Sequence, residues 1–291
     1  MSDKTLLNLG CGKRYHPDWI NIDLASRDPN VIAYDLSQGI PFGDGSMDAV
    51  YHSHMLEHLR RSDARFCLLE CFRVLKPGGV IRIATPDMER IARQYLEKLE
   101  KALAGDAANG DDYEWLTIEL LDQMTREISG GEMANYLKNN PIPNESFILE
   151  RIGEEGRSLI EMMHSKTRNS RQRILSANDS FAHRIIRFVR NAPKRFSSLA
   201  KRFLLRALLD SRQRRALEIG LFRLSGETHH WLYDRYSLSK LLQETGFCHP
   251  IQQKANTSRI LHWQEYHLDI LADGTIIKPD SIYMEAIKPA S

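Results

Sequence analysis

The sequence predicts an α/β fold in which one parallel sheet is interrupted by a long, mostly helical insertion. Over the first ninety residues, short apolar runs alternate with turns and helical patterns, as in sheets whose two faces are covered. The middle of the chain instead consists of amphipathic helical patterns, and the alternation resumes after residue 236. The predicted core is therefore residues 1–90 with 236–291, and the predicted insertion is residues 91–235.

Seven short apolar runs are the predicted strands. In chain order they are LLNLG, WINIDL, NVIAYDL, MDAVYHSH, VIRIATP, IQQKA and SIYMEAIK. Between the fourth and fifth runs, SDARFCLLECFRVLK repeats apolar residues at intervals of three and four, which predicts a helix. Ser62 is the predicted cap of that helix, and Pro77-Gly78-Gly79 its end. A late helix, SLSKLLQETGF, is predicted to be capped by Ser237, with LADGTIIKPD as a turn before the last strand.

The insertion begins with two predicted helices, MERIARQYLEKLEKALAG and YEWLTIELLDQMTREISGG, and continues into a basic block at residues 166–215. This block holds fifteen Lys or Arg and two Asp, whereas the other 241 residues hold 25 basic and 36 acidic side chains. Such asymmetry indicates an anionic partner, for example a membrane surface. The alternative is a solvated helical face that pairs with the acidic remainder.

Composition excludes several classes of protein. The hydrophobic fraction of 42% is ordinary for a globular chain, and no apolar run reaches the roughly eighteen residues of a membrane span. The first residues lead directly into a strand-like segment, so a signal peptide is not expected. The four cysteines form neither a Cys-x-x-Cys pair nor a disulfide framework, which favours a reducing, cytoplasmic compartment.

A glycine turn, Gly10-Cys11-Gly12, follows the first predicted strand. Glycine lets the backbone approach a ligand closely, because it has no Cβ. Asp23 ends the second strand at the same edge of the sheet, where a carboxylate suits ribose hydroxyls. Gly-x-Gly also occurs in plain tight turns. Tyr15 stands where a dinucleotide fingerprint requires a third glycine, which weakens a nicotinamide-dinucleotide interpretation.

Further motifs complete a pattern. YDLSQGIPFGDGSMDAVYHSHMLEHL and FRVLKPGGVIRIATPD follow the glycine turn at the expected distances. Together they resemble class I S-adenosylmethionine-dependent methyltransferases. HPDWINIDL and WLYDRYSLSKLLQETGF are similar to members associated with bacterial surface-polysaccharide synthesis. The resemblance covers residues 1–90 and 236–288. It implies a Rossmann-like seven-stranded sheet, S-adenosyl-L-methionine as cofactor, and methyl transfer as the reaction.

The resemblance also implies a cofactor site. The glycine turn would face the methionine part, Asp23 would hold the ribose, and Asp35 with the Leu36 amide would bind the adenine. Asn8 stands where the family usually has an acidic residue, and the first helix is abbreviated to KRYHPDW. The expected cofactor-binding residues are Asn8, Gly10, Cys11, Gly12, Asp23, Leu24, Asp35, Leu36, Ser53, His54 and His58.

Two histidine clusters could supply a base that takes a proton from the methyl acceptor. In the first, His54 is the leading choice, and His58 is expected to be structural or near the cofactor. The second cluster is His229-His230, where His230 leads as the base. Tyr233 and Asp234 are next in line. The first cluster, which also includes His52, lacks the spacing of a standard zinc motif, so no metal site is predicted.

The function favoured by these patterns is O-methylation of a glycan or glycolipid intermediate. The enzyme could lie at the inner face of the membrane through residues 166–215. One alternative is a methyltransferase for a small molecule or lipid. Another is nucleic-acid binding by the basic block. This is disfavoured because Phe196 and Phe203 lie on an apolar stripe, and because HSHM replaces the Asn/Asp-Pro-Pro-Tyr-like motif of many nucleic-acid enzymes. The oligomeric state stays open.

Overall fold

Seven strands form one sheet in the order β3-β2-β1-β4-β5-β7-β6. The computed structural model describes residues 4–26, 28–175 and 209–290, and only the backbone of residues 165–175. The strands are β1 Leu6–Leu9, β2 Ile20–Asp23, β3 Val31–Ala33, β4 Met47–Ser53, β5 Leu75–Pro86, β6 Cys248–Gln253 and β7 Ser281–Ile287. The first five are parallel and β7 is antiparallel to both neighbours. The predicted α/β class and the seven-stranded Rossmann-like sheet are confirmed.

Seven α-helices accompany this sheet within the described residues. They are α1 Arg61–Val74, α2 Met88–Leu103, α3 Ala107–Thr125, α4 Gly131–Tyr136, α5 Glu145–Leu175, α6 Ser211–Arg223 and α7 Arg235–Glu244. The apolar stripe predicted for α1 is buried against the sheet, with Leu68, Cys71 and Val74 fully covered. Burial of that stripe is what holds a helix of ordinary propensity in place.

Both predicted helix caps are wrong. Arg60 precedes α1 without a side-chain cap, and the Ser62 hydroxyl instead lies 3.0 Å from an Asp63 carboxylate oxygen. At α7 the capping side chain is Asp234, which accepts the amides of Tyr236 and Ser237 at 2.9 and 2.7 Å. Ser237 is the third helical residue and completes the capping box from the other side.

Two further boundaries differ from the predictions. Helix α1 ends at Val74, so Pro77-Gly78-Gly79 falls within the bounds of β5. The connection before β7 contains more than a turn, because a 3₁₀ helix occupies Trp263–Tyr266 and a bridge pairs Ile270 with Ile276.

The helical segment leaves the sheet after β5 and returns beside its own starting point. Asp87 and Tyr233 form an isolated parallel bridge, and the Met88 amide donates to the Tyr233 carbonyl at 2.9 Å. Between these points the helices bury an apolar cluster of their own: Trp115, Tyr136, Leu137, Ile142, Ile148, Ile152 and Ile160. This cluster accounts for the order of a segment that contributes no strand to the sheet.

Most of the basic block lies outside the described residues. This applies to residues 176–208 and therefore to Phe196 and Phe203 of the expected apolar stripe. At the far end of the block, the Arg215 guanidinium pairs with the Glu127 carboxylate at 2.7 Å. No helix in the described part of the chain combines the length and the apolar character that crossing a bilayer demands.

A fully buried guanidinium ties the centre of the sheet to the chain preceding β7. Arg82, on β5, donates to Asp269 at 2.9 Å and to Glu285, on β7, at 2.8 Å. Asp269 also accepts the Tyr51 hydroxyl of β4 at 2.6 Å. The guanidinium carbon lies 4.4 Å from the centre of the Trp263 ring, where a cation is attracted to the aromatic face.

We expect Arg82→Met to lower the free energy of unfolding by about 3 to 5 kcal/mol, because two buried carboxylates lose their counter-charge. Urea unfolding followed by circular dichroism measures this. The matched control is Arg93→Met, which removes an exposed pair with Glu89 and should cost less than about 0.5 kcal/mol. Equal effects of the two substitutions would contradict the assigned role of Arg82.

Candidate active site

Two cavities lie along the edge where the parallel strands end. Because β7 runs antiparallel, its beginning and the residues before it reach the same edge, and Lys278 lines both cavities. We call the first the glycine cavity. Its volume is about 500 Å³, and it is bounded by the glycine turn on one side and Lys278 on the other. Carboxyl edges of this kind are where open α/β sheets bind ligands.

The turn after β1 adopts the backbone that its glycines were expected to provide. Gly10 and Gly12 have φ angles of +61° and +55°, in the left-handed region. The Gly12 amide donates to Asp23 Oδ2 at 2.8 Å, so the carboxylate at the end of β2 braces the turn. Asn8, which precedes the last residue of β1, donates its side-chain amide to the Arg14 carbonyl at 3.1 Å. The abbreviated first helix is a turn held by these bonds.

Six of the expected cofactor-binding residues line the glycine cavity. They are Asn8, Gly10, Cys11, Gly12, Ser53 and His54. Asp23, Leu24, Asp35 and Leu36 are not among the residues that line it. Asp35 caps a 3₁₀ turn through the Ser37 amide at 3.0 Å. Hydrogen bonding by the Ser37 side chain, and then by its amide, lowers the pKa of the Asp35 carboxyl group. Asp23 and Leu24 lie at the end of β2, and Asp35 and Leu36 come shortly after β3. Both strands lie on the opposite side of β1 from β4.

Helix α5 covers both cavities. Glu155, Leu159 and Met162 line each of them. The helix approaches the chain before β7 at Gly153, whose φ of +56° kinks it. A Cβ at this position would lie 2.5 Å from Pro279 Cδ and 2.8 Å from the Ile277 carbonyl. Only glycine allows this approach.

The second cavity, of about 710 Å³, we call the histidine cavity, because His54, His58 and His229 line it. Its other polar residues come from the helical segment and from the chain before β7. They are Gln123, Arg126, Ser129, Glu155, Glu227, Lys278 and Asp280. The remaining wall is largely aliphatic or thioether, including Met133, Leu137 and Ile152. Both cations are paired, Lys278 with Glu155 at 3.2 Å and Arg126 with Asp122 at 2.8 Å.

His54 lies between the two cavities and has a neighbour on each ring nitrogen. Nε2 is 2.7 Å from the Ser281 hydroxyl, and Nδ1 is 3.4 Å from Glu57 Oε1. The second distance is a close contact rather than an aligned hydrogen bond, since Glu57 Oε1 has no hydrogen-bond partner. Burial, then nearby Lys278, holds the pKa of His54 well below its usual range. The ring is therefore neutral near pH 7.

Glu57 is a buried carboxylate that the sequence patterns did not single out. Its Oε2 accepts the Thr85 hydroxyl at 3.1 Å, and burial raises its pKa to about 7. Its backbone carbonyl accepts the amides of His230 at 2.7 Å and Trp231 at 3.3 Å. Glu57 therefore docks the returning chain onto the loop after β4.

His229, the histidine of the second cluster that was not favoured as the base, is brought against His58 by this docking. The two rings meet edge to face with centroids 4.6 Å apart. The His229 side chain is buried, its Nδ1 has no partner, and burial lowers its pKa to about 3. Burial likewise lowers the pKa of His58, and the Thr228 backbone carbonyl offsets this by accepting a hydrogen bond from the ring.

The other expected catalytic residues line neither of the two cavities. The neighbour of His230, His229, lines the histidine cavity. Tyr233 packs in the main core, where burial raises its pKa to about 12. Asp234 is occupied as the cap of α7. His52 is wholly buried, and burial lowers its pKa to about 4.

Comparison with known proteins identifies part of the chain. Residues 21–83 match the family model described as "Methyltransferase domain". A protein of Mycolicibacterium smegmatis named "Probable S-adenosylmethionine-dependent methyltransferase" is 35% identical over 102 residues. The match covers 29% of this chain and 38% of that protein, so this chain spans less than half of that relative's length. For the matched domain, the expected methyltransferase class and its cofactor, S-adenosylmethionine, are confirmed.

Solved structures are similar at lower levels. One is a chain from the complex between the Haloferax volcanii Trm112 methyltransferase activator and a methyltransferase. It is 10% identical, and the match covers 99% of this chain and 83% of that chain with a TM-score of 0.36. The Burkholderia thailandensis 1,6-didemethyltoxoflavin-N1-methyltransferase, with bound 1,6-didemethyltoxoflavin and S-adenosylhomocysteine, is 18% identical. It covers 29% of this chain and 45% of its own, with a TM-score of 0.25. With TM-scores of 0.36 and 0.25, these two structures support no conclusion about the methyl acceptor of this chain.

We expect Gly153→Ala to lower the free energy of unfolding by at least about 1 to 2 kcal/mol, the cost of a side chain in the left-handed region. Displacement of Pro279 adds to this cost. The control is Gly220→Ala in α6, where a new Cβ has open space and should stabilise the helix by about 0.5 to 1 kcal/mol. Thermal and urea unfolding report both values. A neutral Gly153→Ala would remove the argument for a forced kink.

Proposed function

We propose that this chain transfers the methyl group of S-adenosylmethionine to a hydroxyl oxygen of a glycan or glycolipid intermediate. The observation that carries the proposal is the shared wall of the two cavities: His54, Glu155, Leu159, Met162 and Lys278 border both. A cofactor in the glycine cavity and an acceptor in the histidine cavity would meet at that wall. Methyl transfer needs such an approach, because the chemistry depends mainly on holding the two reactants in line.

The polar half of the histidine cavity supports a hydroxyl-rich acceptor. Carboxylates, an amide and a guanidinium alternate around it, so that hydroxyl groups would find both donors and acceptors. The basic block is a separate argument, because an anionic membrane surface or an anionic glycan would attract it.

A small-molecule acceptor is the second candidate, favoured by the other half of the same cavity. Met133, Leu137 and Leu159 would cover an apolar ring or chain better than a sugar. A panel of glycans, glycolipid intermediates and aromatic alcohols, incubated with radiolabelled S-adenosylmethionine, separates the two candidates. Label transferred to a glycan supports the first, and label found in aromatic acceptors alone supports the second.

The base in this proposal is His54. In this role, Nε2 would exchange the Ser281 hydroxyl for that of the acceptor. The acceptor oxygen then bonds to the methyl carbon as the carbon–sulfur bond breaks, and the proton passes to His54. S-Adenosylhomocysteine and a methyl ether are the products. His230, Tyr233 and Asp234 follow His54 as candidates.

We expect Asp23→Ala to weaken S-adenosylmethionine binding by about 1 to 3 kcal/mol, through loss of bonds to the ribose and to the Gly12 amide. Isothermal titration calorimetry measures the affinity. Asp23→Asn keeps an acceptor for the amide and should lose less. The control, Asp273→Ala, removes an exposed loop carboxylate and should bind as the wild type does. Unchanged affinity in Asp23→Ala would refute the ribose assignment.

We expect His54→Ala to lower turnover by roughly 10²- to 10⁴-fold, the usual contribution of a general base. Its affinity for S-adenosylmethionine should stay near that of the wild type. His262→Ala is the matched control, because His262 is exposed and pairs only with Glu265 among the described residues. Full activity of His54→Ala would move the base to His230, and next to Tyr233 or Asp234.

A further inference from the structure

Among the buried polar atoms without a hydrogen-bond partner in the described residues, three belong to neighbouring side chains that offer metal-ligand atoms: Glu57 Oε1, His58 Nδ1 and His229 Nδ1. Arg126, which lines the same cavity, also has an unpartnered donor, Nε. Buried groups of this kind are nearly always satisfied by protein, water or an ion, since each one left bare costs free energy. Three from three neighbouring side chains indicate a common ligand.

The geometry of these side chains fits a cation. Glu57, His58 and His229 each offer one ligand atom, and these atoms all lie within 4.8 Å of one another. The Glu57 side chain is wholly buried, and His229 is 4% exposed. Both histidines line the histidine cavity, so one side of the group is open to it. The Thr228 backbone holds the His58 ring, as carbonyl groups commonly do for metal-binding histidines.

We propose that Glu57, His58 and His229 bind a divalent transition-metal ion of the zinc type, with its remaining position open toward the histidine cavity. Two imidazoles and one carboxylate are a ligand set of catalytic zinc sites, which keep one position for water or substrate. The sequence predicted no metal, because it grouped His58 with His52 and His54. The ligand set instead combines His58 with Glu57 and with His229 from the returning chain.

Two cations lie near this site, and each is paired with a carboxylate. Arg126 pairs with Asp122 and Lys278 with Glu155, and both cations line the same cavity. Glu227 adds a further carboxylate to the cavity wall.

The role of the ion, unlike its binding, rests on the proposed methyl transfer. An acceptor hydroxyl bound at the open position would have a lowered pKa and would give its proton to His54. Its oxygen would then bond to the methyl carbon, while the electron pair of the carbon–sulfur bond stays with sulfur. The ion itself is neither oxidised nor reduced.

Metal binding by the full chain tests the site without any acceptor. Protein stripped with a chelator is titrated with Zn²⁺ by calorimetry and with Co²⁺ by visible absorption. We expect one ion per chain. Bound Co²⁺ should show the visible absorption that is typical of a low coordination number. Glu57→Gln, which keeps the side-chain shape, and His229→Gln should each weaken binding by more than about 100-fold, beyond the loss typical of second-shell changes. His230→Ala, one residue away, should bind as the wild type does.

The outcomes separate this site from the proposed function. Circular dichroism and S-adenosylmethionine affinity, measured on the same samples, show whether each variant is folded. No binding by the wild type, equal binding by folded Glu57→Gln and His229→Gln, or an equal loss in His230→Ala would overturn the metal site. Normal S-adenosylmethionine binding with no metal would leave the methyl-transfer proposal intact. Metal binding without S-adenosylmethionine binding would support the metal site and contradict the methyl-transfer proposal.

Discussion

The buried Arg82 guanidinium is the interaction on which the rest of the site depends. It neutralises Asp269 and Glu285 where neither carboxylate has access to water. Through Asp269 it also reaches Tyr51, and both residues line the glycine cavity. A charge of this kind is costly to bury and is retained only with complete hydrogen bonding. Arg82 meets this condition by donating also to three backbone carbonyls: Thr257, Lys254 and Ala255.

Glu57 has the corresponding position on the other side of the site. Its backbone carbonyl receives the returning chain, and its carboxylate faces Thr85 and His54. The loop after β4, the end of β5 and the segment after α6 are thereby held together by one residue. One wall of the histidine cavity is thus built around Glu57, and helix α5 covers the cavity. Glu155 of α5 is linked to the chain before β7 by its ion pair with Lys278.

The strands could be predicted from sequence because each is an apolar run with turn residues at its ends, and period and length suffice for that. The helix caps could not be predicted in this way. Ser62 and Ser237 have the side chains of typical capping residues, but each lies inside its helix, past the first unbonded backbone amides. The glycine turn and its cavity were predictable from local motifs. The pairing of His58 with His229 was not, since it depends on where a long helical segment returns, and no local pattern encodes that. The same limit led to His230 being favoured over its neighbour.

The bridge between Asp87 and Tyr233 has an evolutionary consequence. Because the helical segment departs and rejoins at adjacent hydrogen-bonded positions, the sheet experiences the whole detour as a short loop. A segment attached in this way can lengthen, shrink or be replaced by recombination without changing strand order. Its exchange would replace Gln123, Arg126 and His229 in the histidine cavity and leave the glycine turn unchanged. A chain built on this plan can therefore change the lining of one cavity while it keeps the turn at the other.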